Sequence, residues 1–292
     1  MPDPKKPEPK KNRGASVRAR LLAISKANGQ VFDLVLNRYA VERLLYRLSV
    51  SAHARRFVLK GATLLMTWLD APHRGTRDLD LLSFGDPDGA KMLAVFREMM
   101  AADGDDGIVF DVAALKVERI REHLAYGGLR LVTTADIGGA RVKISIDIGF
   151  GDALEPEPET LDYPVLLDMP APQLRGYARE TVIAEKFEAI TSLGRDNTRM
   201  KDFHDIWILS RAFTFTDDRL ARAITATFAR RGTPIPTAPP DALTPAFAAD
   251  DRKRVQWIAF VETVDVDPGD LATILVDLSA FLMPHAIAAQ SK

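Results

Sequence analysis

Phe57-Val58-Leu59-Lys60-Gly61-Ala62-Thr63, followed by Arg77-Asp78-Leu79-Asp80-Leu81-Leu82, carries the most informative pattern in the chain. The first apolar run is short and stops at Lys60-Gly61, and Thr63 to Leu69 resumes with helix-compatible residues, so the segment reads strand, glycine turn, helix. The second run reads as a strand, in which Asp78 and Asp80 project from one face and Leu79 and Leu81 from the other. A turn residue lacking Cβ lets backbone N–H groups approach a phosphate, and the helix N-terminus behind it favours negative charge. Gly61, with Ala62 and Thr63 after it, is therefore a candidate phosphate cradle.

Farther along, Lys143-Ile144-Ser145-Ile146-Asp147-Ile148 alternates again, with the isoleucines on a buried face and Asp147 on the opposite one. If this strand lies beside Asp78-Leu79-Asp80, three carboxylates meet. Such a cluster disfavours itself unless cations neutralise it, and all-oxygen ligation suits Mg²⁺ or Mn²⁺. Two ions about 3.5 to 4 Å apart activate an attacking hydroxyl and stabilise a leaving phosphate oxygen. The alternative is that these aspartates are solvent-facing positions on half-exposed strands.

Around this centre, Val31 to Leu48 carries apolar residues at helical spacing, and Asp88 is placed to cap a helix bearing Met92, Leu93, Val95, Phe96 and Met99. Ile108 to Ala113 reads as a strand, and Gly128 to Thr134 and Arg141 to Phe150 flank Ile137-Gly138-Gly139 as a β-hairpin. The expected architecture is α+β, a mixed sheet with helices on one face, followed by a mainly helical region. Composition shifts at Glu155-Pro156-Glu157-Pro158, which places a boundary near residue 160: a mobile basic tail over 1–14, a catalytic domain over 15–160 and a helical domain over 161–292.

The 292 residues hold 39 Lys plus Arg against 40 Asp plus Glu, so the formal charge of −1 advertises no global field for nucleic acid. With no cysteine, disulfides, thiolate zinc sites and a cysteine nucleophile are all excluded, and any metal must use oxygen or imidazole ligands. The start, MPDPKKPEPKKNRG, has no apolar core of a signal peptide, and no later stretch is expected to approach the ~20 apolar residues of a membrane span. The reading is a cytoplasmic protein without a membrane partner.

In the helical region, Val182, Ile183, Phe187, Ala189, Ile190 and Leu193 form one apolar arc, and Lys186 falls near its middle. A buried ammonium needs an anionic partner, either an NTP phosphate or a carboxylate at the domain interface. Downstream, Lys201-Asp202-Phe203-His204-Asp205 puts Asp202 and Asp205 on neighbouring helical positions, fit to orient Lys186, a base or a substrate hydroxyl, or to form a local salt-bridge network. Arg74, Arg77, Arg195 and Arg199 are candidate phosphate or RNA contacts.

Strand, Gly61, helix, Asp78-x-Asp80 and a third carboxylate at Asp147 resemble the DNA polymerase β-like nucleotidyltransferases, although Ala62 stands where a second Gly or Ser is usual and the spacing to Asp78 is longer than the commonest. The blocks from Phe57 to Gly61, Arg77 to Asp80, Lys143 to Asp147, Glu180 to Phe187 and Arg199 to Asp205 together resemble the AbiEii/AbiGii toxin family over about Val31 to Leu209. That resemblance implies a toxin paired with a neighbouring antitoxin, acting as a metal-dependent, NTP-using nucleotidyltransferase. Related MenT-type toxins add nucleotides to the 3′ acceptor end of tRNA. It further implies that Asp78 and Asp80 bind metal, that Asp147 assists metal binding or deprotonation, that Gly61 cradles phosphate, that Lys186 binds the NTP, and that Asp202 or Asp205 completes the site. Nucleotidylation or phosphorylation of a protein, or a degenerate nucleotide-binding module, are the competing readings.

Overall fold

Alternating side chains sort the central strands into an apolar and a polar face. The structure, a computed structural model, describes residues 12–69, 75–120 and 127–291. Its strands are β1 (Phe57–Lys60), β2 (Asp78–Ser83), β3 (Ile108–Phe110), β4 (Lys116–Ile120), β5 (Gly128–Ile137), β6 (Ala140–Phe150), β7 (Glu159–Asp162) and β8 (Gln173–Gly176). Among the described residues they form one mixed sheet in the order β3-β5-β6-β2-β1-β8-β7, with β4 also paired to β5. The β2–β6 and β1–β8 pairs are parallel and the rest antiparallel.

Leu79 and Leu81 sit in register with Ile146 and Ile148, and all four are buried. This apolar face is closed in part by α4 (Gly89–Ala101), whose Phe96 meets Phe57 edge to face at 5.6 Å. Asp88 caps α4 as its position predicts, accepting from the N–H groups of Ala90 and Lys91 at 3.0 and 3.1 Å. α2 (Phe32–Ser49) packs on β6, and its Asn37 donates to the carbonyl of Lys143 at 3.2 Å.

Several features depart from the sequence reading. α1 (Arg13–Ala27) precedes α2, burying only Val17, Leu21 and Ser25, a stripe too narrow to stand out in an arginine-rich stretch. β8 reaches the sheet from beyond residue 160 and lies beside β1. The expected tail falls outside the described residues as far as residue 11, while Arg13 and Gly14 belong to α1. α3 (Gly61–Leu65) is shorter than the Thr63 to Leu69 pattern suggested.

From Arg179 onward the chain is helical: α5 (Arg179–Leu193), α6 (Met200–Ala212), α7 (Asp217–Arg231), α8 (Pro245–Ala248), α9 (Asp251–Val261) and α10 (Leu271–Gln290). α5 packs on α7 and α6, and α10 packs on α7 and α6. α10 corrects one expectation, because it is long and apolar enough by length and composition to cross a membrane. Leu271, Ile274, Leu275, Leu278, Leu282 and Ala286 are buried, while Val276 and Ile287 are exposed, so one face of α10 packs on the other helices. Helices also flank both sides of the sheet: α5 reaches Lys60 on the face opposite Phe57.

Candidate active site

A transverse row of charge crosses the polar face. Register pairs Glu118 with Arg130, Arg130 with Asp147, Asp147 with Asp80, and Asp80 with Lys60, across β4, β5, β6, β2 and β1. Paired residues in register present side chains on the same face, about 4.8 Å apart from strand to strand. Asp78 lies two positions from Asp80, opposite Ser145. The fold therefore brings Asp78, Asp80 and Asp147 together.

Gly61 meets this row directly. Its φ is +72°, and a Cβ built on it would lie 2.1 Å from Asp80 Oδ2 and 2.7 Å from Asp80 Cβ and Cγ. Only a residue without a side chain lets the turn adopt that backbone and lets the Asp80 carboxylate press against it. Ala62 is half-buried at the first turn of α3. Thr63 is buried and donates its hydroxyl to the Asp78 carbonyl at 3.0 Å, so it braces β2.

Asp78 and Asp80 offer hard oxygen donors from same-face positions and fit Mg²⁺ or Mn²⁺. Asp147 is engaged differently. Arg130 grips it with both arms of its fork, Nε to Oδ1 at 2.6 Å and Nη2 to Oδ2 at 2.7 Å. Among the described residues no three acidic or histidine side chains converge as a metal cage.

Lys186, Asp202 and Asp205 form a second group. The Lys186 ammonium lies 2.8 Å from Asp202 Oδ1 and 2.8 Å from Asp205 Oδ2, and both aspartates are fully buried. Arg199 Nε approaches Asp202 Oδ2 at 2.6 Å. Burial pushes the Asp202 pKa up, but Lys186 and Arg199 outweigh it and hold the carboxyl below its ordinary value. Arg199 and Lys201 also line a cleft of about 480 Å³ with Gly75, Thr198, Gln256 and Phe260. Gly75 stands three residues before Asp78, at most about 10 Å along the chain. Arg77 and Arg195 are exposed; Arg74 lies outside the described residues.

The family model described as "Nucleotidyl transferase AbiEii toxin, Type IV TA system" matches residues 43–281, a span that contains both groups. The chain belongs to the AbiEii nucleotidyltransferase toxin family. AbiEii membership makes the protein a nucleotidyltransferase of a toxin–antitoxin system, and implies an NTP substrate and an antitoxin partner. A crystal structure from H. pylori of a protein proposed to be a nucleotidyltransferase superimposes with a TM-score of 0.48 at 16% identity, covering 88% of this chain and 95% of that one. JHP933 from Helicobacter pylori gives a TM-score of 0.47 at 15% identity, covering 85% and 88%. No curated protein matches the chain.

This AbiEii chain also holds a buried network between β1, α5 and α7 that the sequence reading missed. Lys60, beside Asp80 in the row, pairs with Asp152, with Glu185 at 3.1 Å and with the Tyr177 hydroxyl at 3.3 Å. Arg231 of α7 reaches Glu185 at 3.1 Å and Glu188 at 2.7 Å. Burial pulls the Lys60 ammonium down, yet Glu185 and Asp152 outweigh it and leave its pKa above the ordinary lysine value. For Asp152 burial pushes upward, and Lys60 and Arg231 overcome it, holding the carboxyl at about 2. Glu185 is the chain neighbour of Lys186, so α5 carries one residue to each group. Tertiary docking of α5 leaves no local trace in the sequence, but Arg130 had a signal: a two-residue turn at Gly138-Gly139 pairs Ile137 with Ala140 and, counting back, Arg130 with Asp147.

Proposed function

We propose that the protein transfers a nucleoside monophosphate from an NTP to the 3′ hydroxyl of an RNA, with the tRNA acceptor end as the target. The attacking oxygen forms a bond to the α-phosphorus, the bond from that phosphorus to the β-bridging oxygen breaks, and pyrophosphate leaves. The observation that carries this reading is the contact between Gly61 and Asp80. It joins a turn suited to phosphate to a carboxylate pair suited to a divalent ion, at one point of the sheet.

Asp78 and Asp80 are the residues that would hold Mg²⁺ or Mn²⁺, which supplies charge neutralisation on the phosphates and acidifies the attacking hydroxyl. The backbone at Gly61 and Ala62 approaches the polyphosphate, while Thr63 keeps Asp78 in place through its carbonyl. Lys186 is the proposed NTP anchor. Asp202 and Asp205 orient its ammonium, and Arg199 extends the same charged cluster to the wall of the cleft. The cationic rim at Arg199 and Lys201 supports an RNA substrate, because phosphate contacts position a nucleic acid without requiring a basic protein overall. On this reading the toxin works in the cytoplasm, where NTP, RNA and its antitoxin meet.

The test is incubation of the purified chain with α- or γ-labelled forms of each of the four NTPs and total RNA. Label from the α position on RNA, mapped to 3′ ends, is the expected result. Label from the γ position on protein overturns the reading.

A further inference from the structure

Past the carboxylate row the polar face continues along β5 and β6 toward the Gly138-Gly139 turn and emerges into solvent. Burial alternates there residue by residue: Val142 and Ile144 of β6 are buried while Arg141 and Lys143 are exposed, and Ala135 and Ile137 of β5 are buried while Asp136 is exposed. Arg141 and Lys143 share the face of Ser145 and Asp147, and lie six and four residues before Asp147, about 20 and 13 Å along the strand. Lys116 of β4 is in register with Val132, which is in register with Ser145, so this exposed lysine belongs to the same face. Val132 and Thr134, both half-buried, form the floor between the charges. On β4, β5 and β6 this stretch carries three cations against one carboxylate, Asp136, in a chain whose formal charge is −1. Among the described residues none of the three cations has a carboxylate partner, and Asp136 accepts instead from the N–H of Gly139 at 3.1 Å.

We propose that this exposed stretch of β4, β5 and β6 is the track for the RNA strand that leads back from the 3′ end, with Lys143, Arg141 and Lys116 on its phosphates. A 3′ hydroxyl held at the Gly61 turn leaves the preceding nucleotides to run outward over the sheet, and 13 to 20 Å is the reach of several nucleotides stacked about 3.4 Å apart. Contacts of this kind fix where a strand lies without reading its sequence. A protein partner suits the stretch less well, because lysine is depleted from protein interfaces and the large exposed apolar side chain here is a lone valine, Val109 of β3, in register with Asp136. The inference rests on the reading of an RNA 3′ hydroxyl as the acceptor.

The test is titration of a fluorescently labelled RNA hairpin, bearing a single-stranded 3′ overhang, with the full chain over about 50 to 200 mM salt, read by anisotropy. Wild type is compared with the double variant Arg141→Gln, Lys143→Gln, with the triple variant that adds Lys116→Gln, and with a control double variant, Lys91→Gln, Arg97→Gln. Lys91 and Arg97 are exposed cations of α4, which packs on the apolar face, so the control removes as much charge from the other side of the sheet. All five positions are exposed, and thermal melts check that each variant is folded. The expected result is a salt slope lower by about 1 for each track cation removed, and RNA affinity about tenfold weaker in the double variant, with the control within about twofold of wild type. In the transfer assay the KM for RNA rises by the same factor, while kcat and the KM for NTP stay within about twofold. Track variants that bind RNA like wild type, a loss matched by the control, or a change confined to the KM for NTP overturns the track and leaves transfer to RNA standing. A wild-type dimer in sedimentation that the triple variant abolishes, with RNA affinity unchanged, assigns the face to a second copy of the chain and also overturns it. Failure of wild type to bind or label RNA refutes the RNA acceptor itself, and the track with it.

Discussion

A methyl group at Gly61 would fall inside the Asp80 carboxylate and would force a side chain onto a backbone with φ of +72°. Relief requires either the turn or Asp80 to move. Gly61→Ala is expected to cost about 1–2 kcal/mol in stability. Misplacing a reacting group by about 1 Å costs about 100-fold in rate, so nucleotide transfer should fall by about that factor in a protein that still melts cooperatively. Parallel thermal melts and transfer rates check this, and a rate within a few-fold of wild type would contradict the interlock. At Lys186 the balance is different. Removing the ammonium takes the shared cation from two fully buried carboxylates, of which Asp202 keeps its pair with Arg199, and Lys186→Met should lose about 3 kcal/mol in urea unfolding. A loss under about 1 kcal/mol would show that the carboxylates had found water or other partners. The placement of Lys186 on an apolar arc was visible in the sequence, whereas its two partners were only one of several readings there, because helical spacing cannot say which helix faces which.

At the scale of elements, the hairpin of β5 and β6 organises both the charge row and the seat of α1. Gly138 has φ of +56°, and a Cβ on it would lie 2.5 Å from the backbone carbonyl of Gly14. Arg18 donates to the Gly138 carbonyl at 3.3 Å, so the turn and α1 touch backbone to backbone. Gly138→Ala should therefore loosen α1 by about 1–3 kcal/mol, seen as amide exchange about 10- to 100-fold faster in residues 13–27 with protection in β2 and β6 retained. β2 and β6 were readable because apolar and polar residues alternate over 78–81 and 142–148, a pattern that marks a strand even though the polar face around Asp147 is largely covered in the fold. β4 and β7 were not, because neither buries a fully enclosed side chain, and β8 is only four residues long. Short strands are fixed by the neighbours they pair with, which is information the local sequence lacks.

Across the whole molecule, the buried network of Lys60, Asp152, Tyr177, Glu185 and Arg231 ties the sheet to α5 and α7. Asp152 is held at about 2 against an ordinary value of 3.8, so its ionised form is favoured in the folded state. Its contribution is therefore fully present above about pH 4 and is lost as the pH falls through 2, an amount of about 2 kcal/mol. Denaturant unfolding at stepped pH should show this loss in wild type and a shallower acid limb in Asp152→Asn; identical limbs would mean that the network does not couple to folding. The general plan of an α+β chain with a helical second half was legible from patterning alone. The network was not, since its members come from β1, the loops after β6 and β8, α5 and α7 and share no periodicity. The account as a whole turns on whether the carboxylates at the Gly61 turn perform nucleotide transfer. The most direct measurement is the rate at which wild type and Asp80→Asn move α-labelled nucleotide onto RNA 3′ ends: transfer by wild type with a loss of at least about 100-fold in the variant is predicted, and equal transfer by both would contradict it.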